Sequence, residues 1–195
     1  MGALRWCGYP ARLKLRRVNL RLLFVCTGNI CRSPTAERLS VAFLAQRQAL
    51  GLTVLSAGTQ ASVGHPVHHE AARALEHLGG DAEGFRARQL TPKLASSCDL
   101  IIAMTKAHRD NILERSPRLL RRTFTLAEVS LLASDKGAQF VDDLAALRPS
   151  LGGEVLRDVE DPIGREPEFF AAIAGQIMSL LPPVLDLCCR EVALR

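Results

Sequence analysis

The sequence predicts an α/β fold: a four-stranded parallel sheet, doubly wound, with helices on both faces. Two observations carry this expectation. Short apolar runs, long enough for buried strands and too short for helices, recur along the chain, and segments of helical periodicity separate them. Such alternation is the pattern of right-handed β-α-β units, whose crossovers cover both sides of a sheet. A third observation concerns the first connection, CTGNICRSPTAE at residues 26–37, where an apolar run stops at a cysteine and a helix-like pattern begins eight residues later.

LRLLFVC, residues 20–26, is nearly all apolar, as expected of a strand buried on both faces. Ser33 offers an N-cap hydroxyl and Pro34 suits a first helical position, so a helix is expected from there to about Leu50, ended by Gly51. TVLSA at 53–57 reads as the second strand. After the Gly- and Pro-bearing loop SAGTQASVGHP, HHEAARALEHL reads as a helix stopped by Gly79-Gly80. DLIIAM at 99–104 is the third strand, and Thr105 caps a helix to about Glu114. RTFTL at 122–126 reads as the fourth strand, followed by weaker helical patterns over 126–133 and 138–147. A polar connection runs from Arg148 to Arg165. Phe169, Phe170, Ile173, Ile177 and Leu180 then mark a last helix, expected to break or restart at Pro182-Pro183.

At 195 residues and 48% hydrophobic content the chain has enough apolar surface for one sizeable core. The expected organisation is a basic, flexible leader over residues 1–18 and one domain over 19–195. Arg5, Arg12, Lys14, Arg16, Arg17 and Arg21 are six of the 25 basic residues, and no acid precedes Glu37; without those six, 19 basic residues face 20 acidic ones. The high isoelectric point of about 9.1 therefore belongs to the tail and does not argue for a nucleic-acid-binding domain. No stretch approaches the ~18 uninterrupted apolar residues of a membrane span, and the leader lacks the apolar core of a signal peptide. A cytoplasmic protein without nucleic-acid or membrane partners is expected.

The six cysteines, at 7, 26, 31, 98, 188 and 189, form no regular framework, so reduced thiols are expected. A metal site is not expected. Paired C-x-x-C elements are absent, and HEAAR at 69–73 ends in Arg where the zinc-protease pattern needs a second His, which leaves His65, His68 and His69 without a ligand set.

The loop after the first strand carries the chemistry. A strand-loop-helix turn aims several backbone N–H groups at one point, and the helix dipole adds positive charge there, so an anion is stabilised. The same features favour a thiolate, which makes Cys26 a candidate nucleophile. Arg32 supplies a planar fork that matches two phosphate oxygens. Gly28 permits close backbone approach, Asn29 tolerates a left-handed conformation, and the Ser33 hydroxyl can cap the helix, bond the Cys26 sulfur, or do both at different stages. The spacing Cys-x5-Arg is weak by itself, since Cys189 and Arg195 repeat it without a strand or glycine. A buried structural cysteine is the competing reading of Cys26.

VCTGNICRSPTAE resembles the signature of the low-molecular-weight protein tyrosine phosphatases. The similarity continues through SAGT at 56–59, Gly64-His65-Pro66, ARQLT at 87–91, DLIIAM and Asp161-Pro162. The resemblance implies a phosphate monoester hydrolase that works through a phosphocysteine without metal or organic cofactor, on phosphotyrosine proteins or small phosphate esters. It implies Cys26 as nucleophile and Arg32 as phosphate clamp. Thr27, Gly28, Asn29, Ile30, Cys31 and Ser33 would line the phosphate, with Ser56 in support and Asp161 as general acid. Asp142, Asp143 and Asp158 are rivals for that last role by residue type. Cys31 could close a reversible disulfide with Cys26 under oxidation.

The sequence departs from the family where many members carry aromatics. Ile163-Gly164 follows Asp161-Pro162, TQASVGHP has no aromatic, and Phe85 stands where relatives often have His. Trp6 and Tyr9 lie in the leader. Two other readings stand beside the phosphatase: an arsenate reductase or arsenate-thiol transferase on the same scaffold, and a non-catalytic anion-binding module. The thioredoxin-linked reductase needs two resolving cysteines on one mobile segment, which Cys98, Cys188 and Cys189 do not offer.

Overall fold

The computed structural model describes residues 19–152, 154 and 156–193. The basic leader at 1–18, with Trp6 and Tyr9, lies outside them. Four parallel strands, β1 (Leu20–Cys26), β2 (Leu52–Gly58), β3 (Leu100–Ala103) and β4 (Thr123–Thr125), form one sheet in the order β2-β1-β3-β4. The chain leaves β1 toward one edge and later returns to β3 on its other side. The carboxyl end of β1 is therefore the point at which the winding reverses, where ligands bind in open α/β sheets.

Strand β1 divides its side chains between two cores. Leu20, Leu22, Phe24 and Cys26 face one side, with α1 (Arg32–Gln46), α5 (Leu126–Ser134), α6 (Val141–Leu147) and α7 (Pro167–Ala193). Leu23 and Val25 face the other, with α3 (Pro92–Ser96) and α4 (Lys106–Arg115). Helix α2 (His69–His77) packs against α1 and α7. Burial of each large side chain, Phe24 among them, contributes about 1.5–3 kcal/mol, and two-sided burial explains why the strand sequence is apolar without alternation.

Several boundaries differ from expectation. Helix α1 begins at Arg32, and Ser33 does not cap it; the hydroxyl instead meets Cys26 Sγ and accepts from Asn29 Nδ2. It ends at Gln46, four residues early, in a Schellman motif. Gln48 there adopts a left-handed φ of 51°, and Gln48 N and Ala49 N bond the carbonyls of Ala45 and Leu44 at 3.2 and 3.0 Å. Gly79 and Gly80 stop α2 as expected by the same pattern, bonding Glu76 O and Leu75 O. Helix α6 starts at Val141, and the short α3 was not foreseen.

Helix α7 runs through Pro182 and Pro183 without restarting. The two prolines remove the donors that would serve the carbonyls of Met178 and Ser179. Both residues are exposed, so water can solvate those carbonyls. On the opposite face Leu181, Val184, Leu185 and Cys188 continue the buried stripe of Ile173 and Ile177, holding both halves against the core. By length and composition α7 could cross a membrane, yet 44% of its apolar window is buried. That burial is against the rest of the fold.

Candidate active site

Residues 27–31 join the end of β1 to α1. The carbonyls of Cys26, Thr27, Gly28 and Ile30 are taken by the segment after β2: Thr59 N bonds Cys26 O at 2.9 Å, Gln60 N bonds Thr27 O at 3.0 Å, Ser62 N bonds Gly28 O at 2.9 Å and His68 N bonds Ile30 O at 2.7 Å. The amides of 27–31 donate to no protein group among the described residues. Such a ring of free donors at a helix N-terminus is a cradle for an anion. The segment after β2 approaches so closely that a Cβ on Gly58 would stand 2.3 Å from Thr27 O. Only glycine fits there.

Asn29 holds the loop in shape. Its φ of 54° is in the left-handed region, and every polar atom of its buried side chain is used. Nδ2 donates to Ser33 Oγ at 2.9 Å and to Ser56 Oγ at 2.8 Å, while Oδ1 accepts from Arg88 N at 2.8 Å. Ser56 in turn donates to Glu37 Oε2, and Arg88 Nη2 lies 3.7 Å from the other Glu37 oxygen. Burial pushes the Glu37 carboxyl above its usual range, against the opposing pull of the Ser56 hydroxyl and Arg88. Ser33 Oγ stands 2.9 Å from Cys26 Sγ and 3.4 Å from Ala57 O. With one lone pair occupied by Asn29, its proton has the sulfur as nearer acceptor.

Arg32 is 4% exposed and reaches back over the loop. Nη2 donates to Asp161 Oδ2 at 2.5 Å and to Thr27 Oγ1 at 3.5 Å; Nη1 donates to Val159 O at 3.3 Å. The guanidinium thus links the loop after β1 to Asp161. The Asp161 side chain is 48% exposed, and its Oδ1 accepts from Ile163 N at 3.2 Å in a turn that fixes the carboxyl.

The rival carboxylates are used elsewhere. Asp158 Oδ1 accepts from Lys106 N at 3.0 Å at the start of α4, and Asp143 Oδ2 accepts from Gln139 N and Phe140 N at 3.0 and 2.9 Å at the start of α6. Asp142 is in the first turn of that helix. Cys31, the last residue of the loop, is buried with Val67, Ala71, Phe85 and Phe170, and its thiol is pushed up to about 12 by burial, then by Cys26 and Asp161. Burial favours its neutral thiol form. His68 stacks on Phe170 with ring centroids 5.1 Å apart, and the His69 ring lies 3.4 Å from Glu70.

Sequence reasoning missed His108. Its Nε2 lies 2.8 Å from Thr27 Oγ1 and its Nδ1 lies 2.8 Å from Thr105 Oγ1. Burial, and then the charge of Arg32, lower the ring to about 4, while Asp161 and Asp158 oppose them. The ordinary value is 6.5, so between roughly pH 6.5 and 4 the unfolded chain binds a proton that the folded chain refuses. Stability from this site is therefore complete above about 6.5 and declines as pH falls to about 4. In urea unfolding, wild type should lose roughly 1–2 kcal/mol relative to His108→Gln between about pH 7 and 4.5, after allowing for screening. A pH-independent difference would contradict this.

Cys26 near the N-terminus of α1, with unpaired loop amides and a buried arginine at the winding reversal of a parallel sheet, fits a site of the cysteine-phosphatase class. The sequence profile described as "Low molecular weight phosphotyrosine protein phosphatase" matches residues 21–143, and the chain belongs to that family. It is 41% identical over 109 residues to a probable low molecular weight protein-tyrosine-phosphatase, EpsP, of Ralstonia nicotianae, covering 55% of this chain and 71% of the relative. A protein-arginine-phosphatase of Geobacillus stearothermophilus is 33% identical over 161 residues, covering 83% and 90%. Among solved structures, the YwlE arginine phosphatase from G. stearothermophilus superposes with a TM-score of 0.67 at 30% identity, covering 86% of this chain and 91% of that one. A low molecular weight protein tyrosine phosphatase from T. tengcongensis gives 0.69 at 28% identity, covering 86% and 99%.

Proposed function

We propose that the protein is a metal-independent cysteine phosphatase acting on phosphorylated protein side chains, with phosphotyrosine as the first substrate. The observation that carries this reading is the Arg32 guanidinium, which donates to Thr27 Oγ1 of the loop at 3.5 Å and to Asp161 Oδ2 at 2.5 Å. This pairing supports a reading in which the clamp and the acid serve the loop that Cys26 opens. The Cys26 thiolate attacks phosphorus in line, and the P–O bond to the leaving group breaks as Asp161 delivers a proton to that oxygen. Loop amides and Arg32 hold the three equatorial oxygens. Ionised Asp161 then takes a proton from water as it attacks the phosphocysteine, releasing phosphate and the thiolate.

Phosphoarginine is a second reading. The arginine phosphatase of G. stearothermophilus aligns over more of this chain than the tyrosine phosphatase EpsP does. The exposed apolar residues nearest in sequence to the loops around the site are Val63 and Ile163, both aliphatic. The resolving-cysteine form of arsenate reductase lacks support, because Cys98 and Cys188 are buried in separate cores and burial pushes both thiols up. Hydrolysis of p-nitrophenyl phosphate in the presence of EDTA tests the reaction, with tryptic mapping of the trapped phosphoenzyme. A matched panel of phosphotyrosine and phosphoarginine peptides tests the substrate. Phosphate on Cys26 and preference for phosphotyrosine are expected; phosphate on Cys189, or no turnover, would refute the site, and a phosphoarginine preference would reverse the substrate order.

A further inference from the structure

We propose that His108 is a positioning residue for the phosphatase site: it clamps the Thr27 hydroxyl against Arg32 and ties the phosphate loop to the helix end that also anchors the general-acid segment. The inference rests on the phosphatase reading and goes beyond the residues that bear its chemistry.

Local structure fixes the imidazole first. Thr105 caps α4 and accepts from His108 N at 3.1 Å, which places His108 in the first turn and directs its ring toward the cap. The same Thr105 hydroxyl meets Nδ1 at 2.8 Å, and Nε2 reaches across to Thr27 Oγ1, also at 2.8 Å. Both ring nitrogens are thus committed, in a residue only 8% exposed. This is the one side-chain hydrogen bond between α4 and the phosphate loop among the described residues.

A neutral imidazole has one donor and one acceptor, and both tautomers leave the clamp intact. If Thr105 donates to Nδ1, Nε2–H donates to Thr27; in the reverse arrangement Thr27 donates to Nε2. Thr27 Oγ1 keeps a lone pair for Arg32 Nη2 at 3.5 Å in either case. A protonated ring would place a second cation near Arg32.

The start of α4 is also where the acid segment is pinned. Val159 N donates to Met104 O at 2.9 Å, and Lys106 N donates to Asp158 Oδ1 at 3.0 Å, just before the chain reaches Asp161. Arg32 Nη1 closes the arrangement by donating to Val159 O at 3.3 Å. Thr27, Arg32 and Asp161 are therefore set relative to one another through the first turn of α4. When a phosphate oxygen replaces Asp161 at Nη2, Thr27 is the remaining side chain holding that nitrogen in plane. Removing the imidazole would free the threonine rotor and loosen the fork.

The test is a double-mutant cycle on wild type, His108→Ala, Thr27→Val and the double variant, reading kcat/KM for p-nitrophenyl phosphate and calorimetric affinity for inorganic phosphate. Each single variant should lose about tenfold in kcat/KM, the scale of one buried hydrogen bond left unpaired, and the double variant should be little worse than either. His108→Gln, whose amide can reach Thr27, should recover to within about threefold of wild type, which loss of packing alone would not produce. Wild-type values for His108→Ala, fully multiplicative losses, or a glutamine variant as impaired as alanine at equal melting temperature would each overturn the clamp. Should His108→Ala fail to fold, the same cycle with His108→Leu in its place decides on the same criteria. If wild type shows no turnover, the phosphatase reading fails separately, and the clamp is then judged on phosphate affinity.

Discussion

Cys26→Ser is expected to lower kcat for p-nitrophenyl phosphate by roughly 10⁴-fold or more, while inorganic phosphate still binds within a few-fold of wild type. The first effect follows from the atom. A serine hydroxyl at this position is a far weaker nucleophile than a thiolate, and nothing in the network supplies a strong base to activate it: Ser33 Oγ, 2.9 Å from Sγ, can give a proton to the sulfur but cannot remove one from an alcohol. The second effect follows from the cradle. The amides of 27–31 and the Arg32 fork depend on Asn29, Ser56 and the segment after β2, none of which the substitution touches. Steady-state kinetics and phosphate calorimetry on the two proteins decide the matter. Turnover within tenfold of wild type would remove Cys26 from the mechanism, and loss of both turnover and binding would mean that the sulfur is part of the scaffold.

Positions fixed by local rules were legible in the sequence. Thr105 as a cap, Gly79-Gly80 as a helix stop and the buried strand at 20–26 each follow from a few neighbouring residues, and the order of strands and helices fixed the sheet class. Cys26, Asn29, Ser33 and Ser56, which the family resemblance singled out, form one hydrogen-bonded chain, and Arg32 pairs with Asp161. Partners set by folding were not legible. His108 is 81 residues from Thr27, and its ring matters only because β3 lies beside β1 and delivers the start of α4 to the phosphate loop. Glu37 lies within the quoted motif, yet its link to Ser56 depends on the pairing of α1 with β2. Ser33 illustrates competition between local and tertiary demands. Its residue type suits a cap, but the sulfur and Asn29 claim its hydroxyl, and Cys31 is left at the cap position without a side-chain bond. At Pro182-Pro183 local propensity was overridden by a buried stripe that continues on both sides of the break.

Asp161→Asn should separate catalysis from binding. In the structure Asp161 Oδ2 occupies Arg32 Nη2, a nitrogen that a phosphate dianion would also need. The substrate therefore competes with Asp161 for the fork, and success releases the carboxyl toward the leaving oxygen, with the Ile163 turn limiting how far it can swing. An asparagine cannot supply the proton, so kcat should fall about 10²- to 10³-fold for a phenyl or alkyl ester, whose oxygen departs poorly as an anion. The loss should shrink for p-nitrophenyl phosphate, whose leaving group tolerates negative charge. Phosphate affinity should hold or rise, because Arg32 no longer has a carboxylate to give up before it binds. Measuring kcat across phenyl esters of graded leaving-group acidity, together with the inhibition constant of inorganic phosphate, distinguishes the possibilities. A uniform loss across the series would assign Asp161 to holding Arg32, remove it as the general acid and return Asp158, fixed at the start of the same segment, to consideration; weakened phosphate binding would show instead that the ion pair orders the fork for its ligand.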